Sequence, residues 1–167
     1  MLALCMTATR ERSHHWTHFA PGTTGVCVEF DGPGLSQWAG DISRMQCRSV
    51  TYRTIKAMET TCPQRPTLPF LKRYAYVDEQ EFRLLYGDDA VGPDEKWFEL
   101  DLQLIQRITI NPWLEENDAN EVRKRINARL KRLKSDIRVQ RSLLLENKRW
   151  KQLATRAGNA SERRSGT

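Results

Sequence analysis

The hydrophobic period changes along this chain, and that change restricts the fold class more than any other feature of the sequence. From Gly25 to Asp31 the pattern alternates: Val26, Val28 and Phe30 share one side, while Cys27, Glu29 and Asp31 share the other. That is the period of a strand. From Asp118 to Lys134, Val122, Ile126, Leu130 and Leu133 instead form one narrow stripe at helical spacing. Strands and helices mixed without a regular strand–helix–strand rhythm predict an α+β domain. Its central sheet is expected to be mixed or mostly antiparallel, with flanking helices.

Around these two anchors the remaining elements are placed by pattern. Leu2 to Thr7 reads as a short buried strand and His14 to Phe19 as a short helix or tight turn. Asp31-Gly32-Pro33-Gly34 ends the first alternating strand, because Gly and Pro supply turn geometry. Gln46 to Arg53 is a second β-type run with Val50 and Tyr52 on one face. Thr60 to Pro69, rich in proline, reads as a mobile loop, and Phe70 to Tyr76 as one or two helical turns. Further strands are expected over Glu79 to Tyr86, over Ile105 to Asn111 (stopped by Pro112) and over Ile137 to Leu143, with an acidic connection from Gly87 to Asp94. Asp118 and Glu121 have the spacing of a capping box at the start of a basic helix over about 118–134. The chain of 167 residues fits one domain over 1–146, followed by a basic tail over 147–167 that is partly disordered, notably from Asn159.

Charge is unevenly distributed. Residues 1–100 carry 11 Lys+Arg against 13 Asp+Glu, whereas residues 101–167 carry 16 against 8. A basic C-terminal third suggests an acidic partner, nucleic acid first, with Arg125, Arg129 and Arg132 as its contacts. No run has the length of a membrane span, and the apolar opening Met1 to Met6 is too short for a signal peptide. The reading is a cytoplasmic protein without a membrane partner. Cys5, Cys27, Cys47 and Cys62 are widely spread, which favours reduced thiols over a disulfide framework. His14, His15 and His18 with Cys5 and Cys27 lack the spacing of a ligand motif, so no metal site is expected.

The chemistry-bearing residues concentrate in two stretches. Glu79-Gln80-Glu81-Phe82-Arg83, read as strand, places Glu79, Glu81 and Arg83 on one face, and buried charges persist only when paired or used. One carboxylate would orient or activate a nucleophile or a ribose hydroxyl, with Arg83 fixing it or holding a phosphate. The alternative for these three is a cross-strand salt-bridge ladder on a half-exposed sheet. Upstream, His15-Trp16-Thr17-His18-Phe19-Ala20 offers His18 as a base or substrate contact, since His changes charge near neutral pH. Its alternative is a structural His beside Trp16. Arg141 and Ser142 would present a guanidinium and a hydroxyl to an anionic ligand.

These stretches together resemble the bacterial family filed as domain of unknown function 2971. The resemblance rests on Leu4-Cys5-Met6-Thr7, His15 to Ala20, Gly25 to Asp31, and Lys72 with Tyr76, Glu79, Glu81 and Arg83, in that order. Ile108 to Pro112 and Val139 to Ser142 are similar to later segments of the family. The resemblance spans about residues 2–145. It implies a protein of bacterial or phage origin, of the kind found in defence or mobile-element cassettes. It also lifts the functional reading of Glu79, Glu81 and Arg83 above the ladder. The aromatic before the glutamates is usually Trp in the family and is Tyr76 here. The family's longer N-terminal region, with its Asn-Asp-Pro segment, has no counterpart before Met1, so the Leu2–Thr7 strand is expected to carry an unpaired edge and to favour a homodimer or a partner subunit.

Two functions follow as expectations. The first is a pocket for a nucleotide or other phosphate-bearing ligand, with His18, Glu79 and Glu81 as catalytic groups and Trp16, Lys72, Arg83, Arg141 and Ser142 as ligand contacts. A His with a Glu-x-Glu pair is similar, by analogy alone, to ADP-ribosyltransferases, where glutamate aligns a ribose. The second is a non-catalytic basic protein that binds nucleic acid or a nucleoprotein complex.

Overall fold

The computed structural model describes residues 1–87 and 95–165, with side chains up to residue 156. The expected connection over Gly87 to Asp94 therefore lies almost wholly outside the described residues, as do the last two residues of the expected tail. The chain is α+β, and its strands form three small sheets instead of one central sheet. Contacts cluster into two compact units where the sequence suggests one domain. Unit 1 comprises Met1–Glu11 and Glu29–Gln106, and unit 2 comprises Arg12–Val28 and Arg107–Thr167.

Unit 1 is built on an antiparallel sheet in the order β1 (Leu2–Thr7), β6 (Glu81–Tyr86), β3 (Met45–Ser49). Leu4 lies opposite Leu84 and Cys47 opposite the same residue from the other side. Side chains alternate across a sheet, so Met6, Phe82, Leu84, Cys47 and Met45 leave one face. That face packs on Leu35 and Ala39 of α2 (Gly32–Gly40). The opposite face carries Cys5, Arg48, Glu81 and Arg83, with Arg83 placed between Cys5 and Arg48. The apolar face makes the core, and the polar face makes the site.

Several local features differ from the sequence expectation. Asp31 to Gly34 starts α2 as well as ending a strand: the Asp31 carboxylate accepts the Gly34 N–H at 3.0 Å, and Pro33 sits in the first turn. Asp before Pro is as much a helix-start signal as a turn signal. The run from Gln46 to Arg53 breaks at buried Val50 into β3 and β4 (Thr51–Arg53); β4 pairs in parallel with β5 (Leu71–Arg73). A 3-10 helix over Arg65–Phe70 takes up the second half of the expected loop, and helix α3 (Ile55–Thr60) ends where that loop begins. A second 3-10 helix covers Tyr74–Glu79, and Gln80 at φ 40° in the left-handed region turns the chain into β6. Strand β1 is an edge strand as expected but mostly exposed rather than buried, and Leu4 is 55% exposed.

Unit 2 holds α1 (Ser13–Phe19), the larger part of β2 (Val26–Phe30) and of β7 (Ile105–Ile110), then α4 (Glu116–Arg132), β8 (Arg138–Arg141) and α5 (Lys148–Ser165). Strands β7 and β8 pair in parallel, Ile108 opposite Val139, so β7–α4–β8 is a single strand–helix–strand crossover. Ala119 and Leu130 of α4 are buried, while Leu133 is half exposed. No side chain caps α4: Glu115 occupies the N-cap position, Asp118 lies within the first turn, and Glu121 pairs with Lys124 at 2.7 Å instead. Lys134 takes the left-handed position after the helix at φ 52°, where glycine is usual. Strand β8 ends at Arg141, short of the strand expected to reach Leu143, and beyond it Ser142 is buried while Leu143 is 63% exposed. Residues 148–165, expected as a tail, are helical.

Candidate functional site

The polar face of the β1–β6–β3 sheet gathers the charged residues that the sequence singles out. Glu81, first in β6, is only 5% exposed. Its backbone N–H donates to the Tyr52 hydroxyl at 2.7 Å, and its carbonyl accepts the Val50 N–H at 2.8 Å. Its carboxylate takes two bonds from Arg83, Nε to Oε1 at 2.6 Å and Nη2 to Oε2 at 2.9 Å. Lys72 from β5 adds a third, Nζ to Oε2 at 3.2 Å. The same ammonium donates to Glu79 Oε2 at 2.5 Å. Arg83 Nη1 donates to the Pro69 carbonyl, which ties the guanidinium to the end of the first 3-10 helix.

Glu79 is therefore brought to the site by a different route from the expected one. It ends a 3-10 helix and is not on the strand that holds Glu81 and Arg83. Lys72 reaches both carboxylates and closes the gap. Tyr76 joins the same cluster, with Lys72 Nζ 5.1 Å and Arg73 Cζ 5.4 Å from its ring centre. All five residues of the Lys–aromatic–Glu-x-Glu-x-Arg pattern thus meet in space.

The electrostatics follow from these contacts. Burial alone would raise the Glu81 pKa, but hydrogen bonds from Arg83, Cys5 and Lys72 outweigh it and hold the carboxyl at about 2. Burial likewise works against the Lys72 ammonium, yet Glu79 and Glu81 raise its pKa. The bond to Glu81 raises Arg83 further. Desolvation of the sulfur, then Glu81, pushes the Cys5 thiol up, which makes it a poor nucleophile. Glu81 is ionised with both oxygens engaged and is a weak base. Lys72 stays charged and is not a neutral amine nucleophile. The arrangement suits electrostatic positioning better than proton transfer.

The remaining sequence candidates lie in unit 2. Trp16 is 3% exposed and belongs to the core, while His18, in the last turn of α1, is exposed and meets the Phe19 ring edge-on at 4.8 Å. Arg141 donates from Nε to the Leu114 carbonyl at 2.9 Å and from Nη2 to that of Pro112 at 2.8 Å, with Glu146 at 3.4 Å. Its guanidinium clamps the turn after β7. Ser142 is buried, and its Oγ accepts the Leu144 N–H at 3.2 Å. Arg125, Arg129 and Arg132 are all exposed on α4.

Three residues at these places carry no signal that the sequence reading used. Tyr52 anchors Glu81. Arg48 shares the parity of Val50 and Tyr52, a charge on an apolar phase, and that is the sign that would have found it; its guanidinium sits 4.3 Å from the centre of the Phe70 ring. Asn111, wholly buried, donates from Nδ2 to the carbonyls of Ala20 at 3.2 Å and Thr24 at 3.1 Å and accepts the Trp113 N–H at 2.9 Å.

Among the described residues, no group of three His, Cys, Asp or Glu side chains could hold a metal ion, and no helix is long and apolar enough to cross a membrane. Fold and site together define an α+β protein with a buried carboxylate clamped by a guanidinium and an ammonium. Comparison with protein-family models, curated proteins and solved structures finds no match. The resemblance to the family of unknown function accordingly rests on the motifs themselves.

Proposed function

We propose that unit 1 binds a phosphate-bearing ligand, a nucleotide among the candidates, on the Lys72–Glu79–Glu81–Arg83 cluster. The carrying observation is that Glu81 spends both oxygens on holding Lys72 and Arg83, which fixes two cations side by side on one face of unit 1. Among the described residues, Lys72 gives two of its three donors to carboxylates, and Arg83 bonds Glu81 twice, the Pro69 carbonyl and Cys5. Arg48 leaves the same face directly opposite Arg83. Two arginines opposite each other repel, and an anion between them removes that penalty. Glu81 is in this reading a positioning residue, and catalysis by His18, Glu79 and Glu81 is not part of it. The clustering of the family-like residues supports this reading. The test is calorimetric titration of the full chain with inorganic phosphate and with nucleoside mono-, di- and triphosphates. Saturable binding should weaken about tenfold or more in Arg48→Gln, at an exposed position, with the variant's fold checked by circular dichroism. Equal affinity in the variant, or no saturable binding to any of these ligands, would overturn the proposal.

A second reading, nucleic-acid binding through unit 2, is favoured by one observation. Unit 2 carries 17 Lys+Arg against 7 Asp+Glu, a net +10, and unit 1 carries 10 against 14, a net −4. Such a charge on exposed helices attracts a polyanion without sequence preference.

A further inference from the structure

Unit 1 contains a cleft of roughly 370 Å³ that neither reading uses. It lies on the apolar side of the β1–β6–β3 sheet, where Met6, Phe30, Trp38, Leu84 and Phe98 contribute to its wall. Part of the wall is aromatic: Phe98 meets Trp38 at 6.3 Å and Tyr86 at 5.0 Å, both edge-on. The Trp38 indole N–H is already spent on the Glu99 carbonyl at 3.2 Å, so the ring offers only apolar surface. The size is that of a small-molecule site. Free apolar surface of this kind, left open beside an exposed edge strand, is unusual for a core that simply closes on itself.

The one charged residue among its lining groups is Lys96. Lys96 is exposed and has no ion-pair partner among the described residues. An apolar slot with a single ammonium at its wall selects a molecule with an apolar tail and one negative head. A cation would meet Lys96 with like charge, and a neutral tail would leave it unused. We infer that this cleft binds an amphipathic carboxylate of the fatty-acid class, with its chain along Met6, Trp38 and Leu84 and its head at Lys96. The site lies on the opposite side of the sheet from Glu81 and Arg83 and does not depend on phosphate binding there.

The experiment is titration of the full chain with hexanoate, octanoate, decanoate and decyltrimethylammonium, each below its micelle concentration. Affinity should rise between about twofold and fourfold per added methylene until the cleft is full. Decyltrimethylammonium should bind at least about fivefold more weakly than decanoate, and Lys96→Glu should cost decanoate a similar factor. Leu4→Trp, at an exposed position on the apolar face that lines the cleft, should fill it and abolish decanoate binding. Lys96→Glu changes only an exposed side chain, so its result stands even if Leu4→Trp perturbs the fold. Affinity independent of chain length or of head-group charge would overturn the inference. So would a concentration-dependent dimer that binds no carboxylate, which would assign the cleft to a second copy of the chain.

Discussion

Unit 1 and unit 2 handle charge in opposite ways. Unit 1 is net −4, yet it takes charge inside: Glu81 is buried and three neighbours serve its carboxylate. Unit 2 is net +10 and keeps that charge outside, on the exposed arginines of α4. Its buried polar groups are instead the neutral Thr109, Asn111 and Ser142, of which Asn111 stitches Ala20 and Thr24 to the end of β7. Removing a buried charge from its partner is costly, whereas an exposed charge is screened by water. The comparison teaches that number of charges says little about their weight; burial decides it.

The largest expected effect breaks the buried side of this comparison. Glu81→Ala should destabilise the protein by about 3–5 kcal/mol in denaturant titration, because Arg83 and Lys72 lose the carboxylate that compensates them. A loss under about 1 kcal/mol would mean that the cluster is solvated like a surface pair. The same residue sets an acid limb. Its pKa falls from 4.5 unfolded to about 2 folded, so between those values the unfolded chain binds more protons and stability rises with pH. The contribution, about 3 kcal/mol, is present in full above 4.5 and lost as pH falls through about 2. Stability measured from pH 2 to 6 should show this slope in the wild type and lose it in Glu81→Gln.

In unit 2 the matching test is Asn111→Ala. It leaves two carbonyls and one N–H without their side-chain partner, and about 2–3 kcal/mol should go. A neutral outcome would show that water replaces the amide. The smallest effect on stability belongs to the surface. Reversing Arg125, Arg129 and Arg132 to Glu should move stability by no more than about 0.5 kcal/mol per site. Polyanion affinity should fall steeply, and the slope of log affinity against log salt should shrink by about 0.9 for each phosphate no longer neutralised. Retained affinity for nucleic acid in that variant would remove α4 from the second reading.

Much of the site was legible before the structure. The alternation through Glu81, Phe82 and Arg83 placed two charges on one face, and β6 holds them there. The helical stripe over Val122, Ile126 and Leu130 gave α4 its buried side. Less legible was anything that depends on a partner distant in the chain. Glu79 looked like a strand residue because its spacing is right, but Gln80 turns the chain and only Lys72 returns Glu79 to Glu81. Arg141 looked like a ligand contact, yet two carbonyls near the end of β7 use its donors.

The sequence by itself determined the local periods, the uneven charge and the concentration of chemistry in Lys72 to Arg83. These are properties of neighbours, written in spacing. Only the tertiary structure decided that the chain's contacts form two units, that Glu81 is the buried hub of an ion-pair cluster, and that Arg48 and Tyr52 belong beside it. Each of those depends on which strand lies next to which. Pairing is chosen by burying the apolar face of the whole sheet against α2, a sum over residues far apart that no local pattern records.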